Sequence, residues 1–259
     1  GLAGLTAAII LSKENIKIDL YCSKKKKNKN LDNRTTAISE SNYQYIKDNL
    51  NLSREFFFWP CKEIDLFFED KKKIINFFNF KEKKKNLMYI FRNKDLKKKL
   101  DKIISVTNKI KIIKTKIEDI NNEEGFIRSG KKKIFYDLII LSIGSSSKLY
   151  STIEEGRSIK KNYKERALTA IIKHDAKIEN VSQFFLKEGP LAILPLQKKI
   201  FSTVWSVSSE FFEINKKNIR KILTAKLRVL LKVKSIKNIV NIQSFPINLN
   251  LKTKYFKKN

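Results

Sequence analysis

The sequence predicts a mixed α/β (α+β) fold, in which a Rossmann-type unit of parallel strands is interleaved with a mostly antiparallel sheet. Three observations predict it. The chain opens Gly1-Leu2-Ala3-Gly4-Leu5-Thr6-Ala7-Ala8-Ile9-Ile10, the pattern of a glycine-rich turn entering an apolar helix. The run Tyr136-Asp137-Leu138-Ile139-Ile140-Leu141-Ser142-Ile143-Gly144 ends at a glycine, as a buried parallel strand does where it faces a ligand. Beyond it, apolar segments at 167–174, 181–187, 190–196 and 200–207 follow at the short spacing of antiparallel strands.

The elements follow in order. Residues 4–13 read as a short helix and 16–22 as a strand. In the opening turn, Gly1 and Gly4 would let a pyrophosphate approach free N–H groups and the positive end of the helix dipole, although the same spacing also suits plain packing. A lysine run and Asn28 to Asn30 form a loop. Asp32 to Ser39 then leads into a helix carrying Ile38, Tyr45, Ile46 and Leu50 at helical spacing. Residues 55–59, 64–69 and 74–80 read as aromatic strands between charged turns. Leu96, Leu100, Ile103 and Ile104 mark a helix over 94–105. Alternating lysine and isoleucine over 109–120 suggest a half-buried strand. Turn signals at Glu124-Gly125 and Ser129-Gly130 enclose short strands, and Lys187-Glu188-Gly189-Pro190 is a tight turn. A helix at 216–231 and a strand near 236–246 close the pattern.

Composition narrows the function. At 259 residues with 42% hydrophobic content, the chain can bury a substantial core. Its formal charge of +30 is carried by lysine runs spread along the chain: Lys24 to Lys27, Lys71 to Lys73, Lys83 to Lys85, Lys97 to Lys99 and Lys131 to Lys133. Dispersal of this kind suits solvated surface and AT-rich coding better than a nucleic-acid module, so no nucleic-acid partner is expected. The charge is also compatible with peripheral attraction to acidic lipid. Cys22 and Cys61 make no disulfide framework, which points to a reducing, cytoplasmic setting, at most peripheral to the inner face of the membrane. One histidine, His174, excludes a multi-histidine metal site, and no run reaches the ~20 apolar residues of a membrane span.

Five pieces now stand in a definite order: the Gly1/Gly4 start, Asp-x-Arg-x-x-Ala-Ile-Ser at 32–39, Asn93-x-x-Leu96-x-x-x-Leu100, the run to Gly144, and Gly189-Pro190-Leu191-Ala192-Ile193-Leu194-Pro195-Leu196 followed by Val204-Trp205. In this order the chain resembles the ubiquinone-biosynthesis hydroxylases, FAD-dependent aromatic monooxygenases related to para-hydroxybenzoate hydroxylase. The Pro-bounded string at 189–196 is the most specific piece, and the resemblance covers nearly the whole chain.

The resemblance implies a glutathione-reductase-like FAD-binding Rossmann domain at 1–54 and 93–150, interleaved with a substrate domain at 55–92 and 151–259. It implies that Gly1 and Gly4 admit the FAD pyrophosphate. Arg34 would hold the isoalloxazine or pyrophosphate region with Asp32 orienting it, Lys94 would add a point charge, and Gly144 would bring its strand end to the cofactor. Leu194, Pro195 and Leu196 would face the flavin and the aromatic substrate. Asp32 and Arg34 also suit a helix cap and a solvated charge, 189–196 a plain core strand, and Trp205 core packing. The family's flavin carries the chemistry: NAD(P)H reduces FAD, and O₂ then hydroxylates a polyprenylated phenol. No protein catalytic residue and no metal are required, and His174 would sit at a surface or sheet edge. A quinone-biosynthesis complex would be the associated assembly.

Departures from the family pattern are specific. Cys22 stands where an acidic residue would bind the adenosine ribose, and thiols accept hydrogen bonds weakly. Ile143-Gly144-Ser145-Ser146-Ser147 lacks the Asp of the second fingerprint. The family's first strand would precede Gly1 and its last FAD segment would follow Asn259, so a fragment is expected. A degenerate remnant, or another FAD-dependent oxidoreductase of the same fold such as a halogenase or geranylgeranyl-type reductase, is the alternative.

Overall fold

The computed structural model describes residues 1–22, 32–52, 57–71, 73–121, 123–144, 149, 158–232 and 236–253. It forms two compact units, 1–31 with 97–161 and 248–259, and 32–96 with 162–247.

The first unit begins with helix α1 (Leu2–Leu11), which buries Ala8 and Ile9. Strand β1 (Ile18–Tyr21) follows and pairs in parallel with β7 (Ile110–Ile113), Ile18 opposite Ile110. Three short strands, β8 (Asp119–Asn121), β9 (Phe126–Ser129) and β10 (Lys132–Phe135), form an antiparallel meander. Its turns use Gly125 and Gly130 at φ 70° and 59°, where a side chain would be strained.

The expected buried strand over 136–144 does not form. The segment joins no ladder among the described residues, and Leu138 and Ile140 are 69% and 52% exposed. An apolar run becomes a strand only where neighbouring backbones satisfy its N–H and C=O groups. The lysine–isoleucine segment 109–120 likewise yields only β7 and β8, separated by residues 114–118.

In the second unit, β2 (Thr35–Ser39) precedes α2 (Glu40–Leu50), which is capped by Ser39 accepting from Asn42 N. Strands β3 (Trp59–Cys61) and β6 (Met88–Arg92) complete a three-stranded sheet ordered β2-β6-β3. Strands β2 and β6 carry no clear alternation in the sequence and were not expected. Strands β4 (Glu63–Asp70) and β5 (Lys73–Lys81) form a hairpin. Helix α3 (Asn93–Ser105), which belongs to the first unit from Lys97 on, buries Leu96, Leu100 and Ile104 at four-residue spacing.

The expected antiparallel strands appear as β11 (Ser158–His174), β12 (Val181–Leu186), β13 (Gly189–Gln197) and β14 (Ile200–Ser208). With β15 (Ile236–Lys252) they build a seven-stranded sheet ordered β15-β11-β14-β13-β12-β4-β5. A helix that was not expected, α4 (Ser209–Asn215), precedes α5 (Ile219–Leu231), which is the expected helix at 216–231. The larger core gathers Leu168, Leu191, Ile193, Phe201 and Trp205 of the sheet with Phe212 of α4 and Leu223 and Leu227 of α5. Trp205 is thus core, fully enclosed. A smaller cluster of Cys61, Ile90, Ile171, Val181 and Leu196 covers part of the other face. His174 is not a surface or edge residue: it is 1% exposed, packed 5.0 Å from the Phe201 ring, and burial pushes its pKa down. No helix of the described residues is long and apolar enough to cross a membrane.

Candidate functional site

The start of α1 offers what the glycine pattern promised locally. Gly1 caps the helix without a side-chain bond, and no acidic residue occupies the first turn. The first helical bond runs from Leu5 N to Gly1 O, so the N–H groups ahead of it have no partner within the helix. Gly4 is a packing glycine: a Cβ there would lie 3.0 Å from Ser142 Cβ. The segment 136–144 therefore lies against α1 even though it forms no strand. Gly144 adopts φ 76° with open space where a side chain would point, and space at Gly1 is open too. Both leave room for an anion near uncharged backbone.

At the end of β1, Cys22 is exposed. The acid of this strand is Asp19, and it is already engaged. Tyr136 Oη donates to Asp19 Oδ2 at 2.5 Å and lies 2.6 Å from Tyr21 Oη. Burial and then the Asp19 bond hold the Tyr136 phenol far above its ordinary pKa, so it is a fixed donor.

The second unit presents the Asp32-Asn33-Arg34 loop. Arg34 forks onto Asp32 with Nε–Oδ1 at 2.9 Å and Nη2–Oδ2 at 2.8 Å, while Arg34 N donates to Asp32 Oδ1 at 3.0 Å. Its guanidinium lies 5.3 Å from the Phe245 ring centroid. The Asp32 bond raises the Arg34 pKa further above an already high value. Asp32 is no helix cap; that role falls to Ser39. Asn33 is 3% exposed; its backbone N donates to Gln243 Oε1 at 3.1 Å, and its Nδ2 is buried without a hydrogen-bond partner. The loop is tied to the head of α3: Asn93 N donates to Arg34 O at 3.0 Å, and Thr36 Oγ1 donates to Asn93 Oδ1 at 2.6 Å. Lys94, half-buried, follows Asn93. The bonds through Asn93 thus bring the Arg34 loop and the Lys94 turn together.

Leu194, Pro195 and Leu196 do not share one wall, because side chains alternate across a strand. Leu194 and Leu196 join the smaller cluster, whereas Pro195 pairs with Phe201 on the larger-core face. The β13–β14 register shifts between Pro195 and Gln197, which accommodates a proline in a central strand. Beside this bulge, Phe57, Arg92, Asp95, Leu196, Gln197 and Ile200 line a cavity of about 20 Å³. Arg92 Nε donates to Asp95 Oδ2 there at 2.6 Å. That volume suits one water molecule and not an aromatic ring.

Sequence reasoning missed Asn33, Asn93, Ser142, Gln243 and Phe245. Asn33 lay inside a motif it had already singled out. Gln243 and Phe245 reach the loop from about 210 residues away in sequence, which no local pattern signals.

No family model and no curated protein sequence matches the chain. Solved structures do. The chain superposes on the myxobacterial chondrochloren halogenase CndH, a variant of FAD-dependent halogenases, with TM-score 0.73 at 12% identity, covering 98% of this chain and 64% of that one. It superposes on p-nitrophenol 4-monooxygenase PnpA from Pseudomonas putida DLL-E4 with TM-score 0.71 at 10% identity, over 99% and 67% of the two chains. The flavin-dependent brominase Bmp2 gives TM-score 0.70 at 13% identity, over 99% and 67%. The chain therefore spans about two thirds of the length of these proteins, and it has the fold shared by flavin-dependent monooxygenases and halogenases.

Proposed function

We propose that the chain belongs to an FAD-dependent aromatic hydroxylase, and that its substrate is the ring of a polyprenylated phenol in ubiquinone biosynthesis. The observation that carries the flavin reading is the α1 start: a glycine N-cap with no side-chain cap bond, no acid in the first turn, and open space at both Gly1 and Gly144. The buried, unpartnered Asn33 Nδ2 beside Arg34 is a second feature suited to an acceptor-rich ligand. These residues fit FAD. When bound, FAD would take electrons from NAD(P)H and use O₂ to oxygenate the substrate ring. The chain's own contribution is binding and orientation. Gly1 and Gly144 admit the pyrophosphate to the helix end, while Gly4 seats α1 against Ser142. Arg34, steered by Asp32, and Lys94 supply positive charge. Leu194 and Leu196 supply apolar wall, with Pro195 stiffening the strand behind them. In this reading 1–54 and 93–150 hold the cofactor, and 55–92 and 151–259 serve the substrate.

The second reading is another flavin-dependent oxidation on the same fold. Neighbours that include two halogenases favour it, whereas Cys22 in place of an acid at the β1 end favours a degenerate member of the fold. The deciding experiment titrates purified protein with FAD, then supplies NAD(P)H, O₂ and a prenylated phenol and analyses the product. Bound flavin with a hydroxylated ring supports the hydroxylase. Bound flavin without that product from any prenylated phenol transfers the reading to a halogenase or reductase. No flavin binding leaves a degenerate member of the fold.

A further inference from the structure

The β4–β5 hairpin, at the edge of the seven-stranded sheet, turns an apolar face to solvent. Register places Phe68 beside Ile75, Leu66 beside Phe78, Ile64 beside Phe80, and Phe185 of β12 beside Phe68, all on one face. Phe77, the extra residue at the β4–β5 irregularity, closes the patch; its ring lies 5.7 Å from Phe68 and 6.0 Å from Phe185. Phe68, Ile75, Phe77, Phe78, Phe80 and Phe185 are 37%, 39%, 49%, 49%, 48% and 47% exposed. On the other face Phe67 and Ile74 pack against the larger core, Asn79 Nδ2 donates to Glu63 Oε1 and Asp65 Oδ1, each at 2.7 Å, and Lys81 pairs with Glu63 at 3.1 Å. Glu63, Asp65 and Glu69 thus lie on the side away from the patch, and Asp70, at the end of β4, lies on the patch side opposite Lys73. A contiguous apolar surface of this size marks an interaction site.

Its rim is basic. Lys71 and Lys73 flank the hairpin turn, Lys83, Lys84 and Lys85 follow β5, and Lys187 follows Phe185; all are exposed. Glu82 and Glu188 are the acids on the same loops, and Glu188 is engaged by Lys226 at 2.8 Å. We propose that this face docks on the surface of an anionic lipid bilayer, with the phenylalanines entering the headgroup–acyl boundary and the lysines meeting phosphates. Apolar side chains inside a lysine rim match the two layers of such a surface, whose apolar and anionic parts lie within ~5–10 Å of each other. A second copy of the chain docked through the same face would set lysine against lysine. Single-stranded nucleic acid fits less well. Its bases need flat, separate aromatic platforms, whereas these rings pack against one another edge-on or tilted, at interplanar angles of 65°, 54° and 59°.

The test is co-sedimentation with vesicles of phosphatidylcholine and phosphatidylglycerol at about 70:30, against phosphatidylcholine alone. The wild-type chain should bind the anionic vesicles and only weakly the neutral ones. Phe77→Ser/Phe78→Ser, which leaves charge unchanged and removes solvent-facing rings, should lower the partition constant at least tenfold. Lys83→Gln/Lys84→Gln/Lys85→Gln should lower it a few-fold at low salt and little at high salt. Unchanged circular dichroism checks that both variants fold. Three results overturn the proposal. One is no wild-type binding, or equal binding by the phenylalanine variant. Another is a dimer in sedimentation velocity that the phenylalanine variant abolishes, which makes a second copy the occupant. The third is oligo-dT binding that survives about 200 mM salt and needs the phenylalanines, which makes nucleic acid the occupant.

Discussion

Two glycine-marked apolar runs in this chain, 136–144 and 189–197, look alike in sequence and end differently. The second becomes β13, the central strand of seven, with β12 and β14 on either side. Leu191 and Ile193 there are fully enclosed. The first lies beside α1 with no ladder among the described residues, and its Leu138 and Ile140 stay largely exposed. Their glycines differ in the same way. A Cβ on Gly189, at φ 127°, would sit 2.1 Å from Ser206 O, whereas a Cβ on Gly144 would meet nothing within 4 Å. Hydrophobicity gives a segment a reason to be buried, and only paired neighbours allow its backbone to follow.

The largest expected contrast is between side chains of the two regions. Trp205→Ala, opposite Leu191 in the β13–β14 ladder, should cost ~3–5 kcal/mol, and Leu138→Ala should stay within ~0.5 kcal/mol. Urea unfolding of both variants measures it, and similar losses would mean that 136–144 is buried in solution. Gly189→Ala comes next, at about 3 kcal/mol or more, since strain at positive φ adds to a backbone collision. Thermal unfolding reads it directly, and a near-neutral result would break the claim that this turn is over-determined.

Cofactor binding sharpens the comparison on the ligand side. If Arg34 holds FAD, Arg34→Ala should weaken FAD binding by about 1.5–3 kcal/mol, and Arg34→Lys should recover only part because the planar fork is gone. Isothermal titration of the three proteins measures this; an unchanged dissociation constant for the alanine variant returns Arg34 to a solvated charge steered by Asp32.

Smaller effects test the α1 contact. Gly4→Ala gains helix propensity but crowds Ser142, so alone it should change stability little. In a Ser142→Gly background the same change should stabilise by ~1 kcal/mol. A full gain without the second substitution would mean that the segment is not seated on α1. The last effect is a pH slope in the second unit. Burial holds the His174 imidazole below its ordinary value of 6.5, so the unfolded chain binds that proton more tightly. The stability of the neutral ring is fully present above about pH 6.5 and is lost as pH falls through the lower folded value. His174→Gln should flatten the fall in urea midpoint between about pH 7 and pH 5, and an identical profile would remove His174 as its source.

Much of the fold was legible because local rules and tertiary context agreed. Helix α3 announced itself by apolar spacing, with Leu96 and Leu100 buried as their period requires, and α1 by an apolar run after glycines, whereas of the spacing read for α2 Ile38 falls in β2 and Tyr45 is exposed. Strands β11 to β14 announced themselves by runs between turns. Strands β2 and β6 did not, because a five-residue strand beside a helix leaves no period to read. His174 was misplaced because nothing in its sequence neighbours says that Phe201, paired with Ile172 on the adjacent strand, packs against its ring.

Of the candidate site, the sequence by itself determined residue chemistry: two glycines at a helix start, a carboxylate two residues before a guanidinium, a Pro-bounded strand. Backbone geometry makes those features local, and the Asp32–Arg34 fork formed accordingly. The tertiary structure alone decided what each one meets. It set Ser142 against Gly4, Gln243 against Asn33 and Phe245 under Arg34, and it placed Pro195 on the opposite face from Leu194 and Leu196. It also turned Phe78 and Phe80 of β5 outward, which the strand pattern left undecided. The physical reason is common to all of these: a residue's period fixes which face it takes, but only the packing of distant segments fixes whether that face is covered.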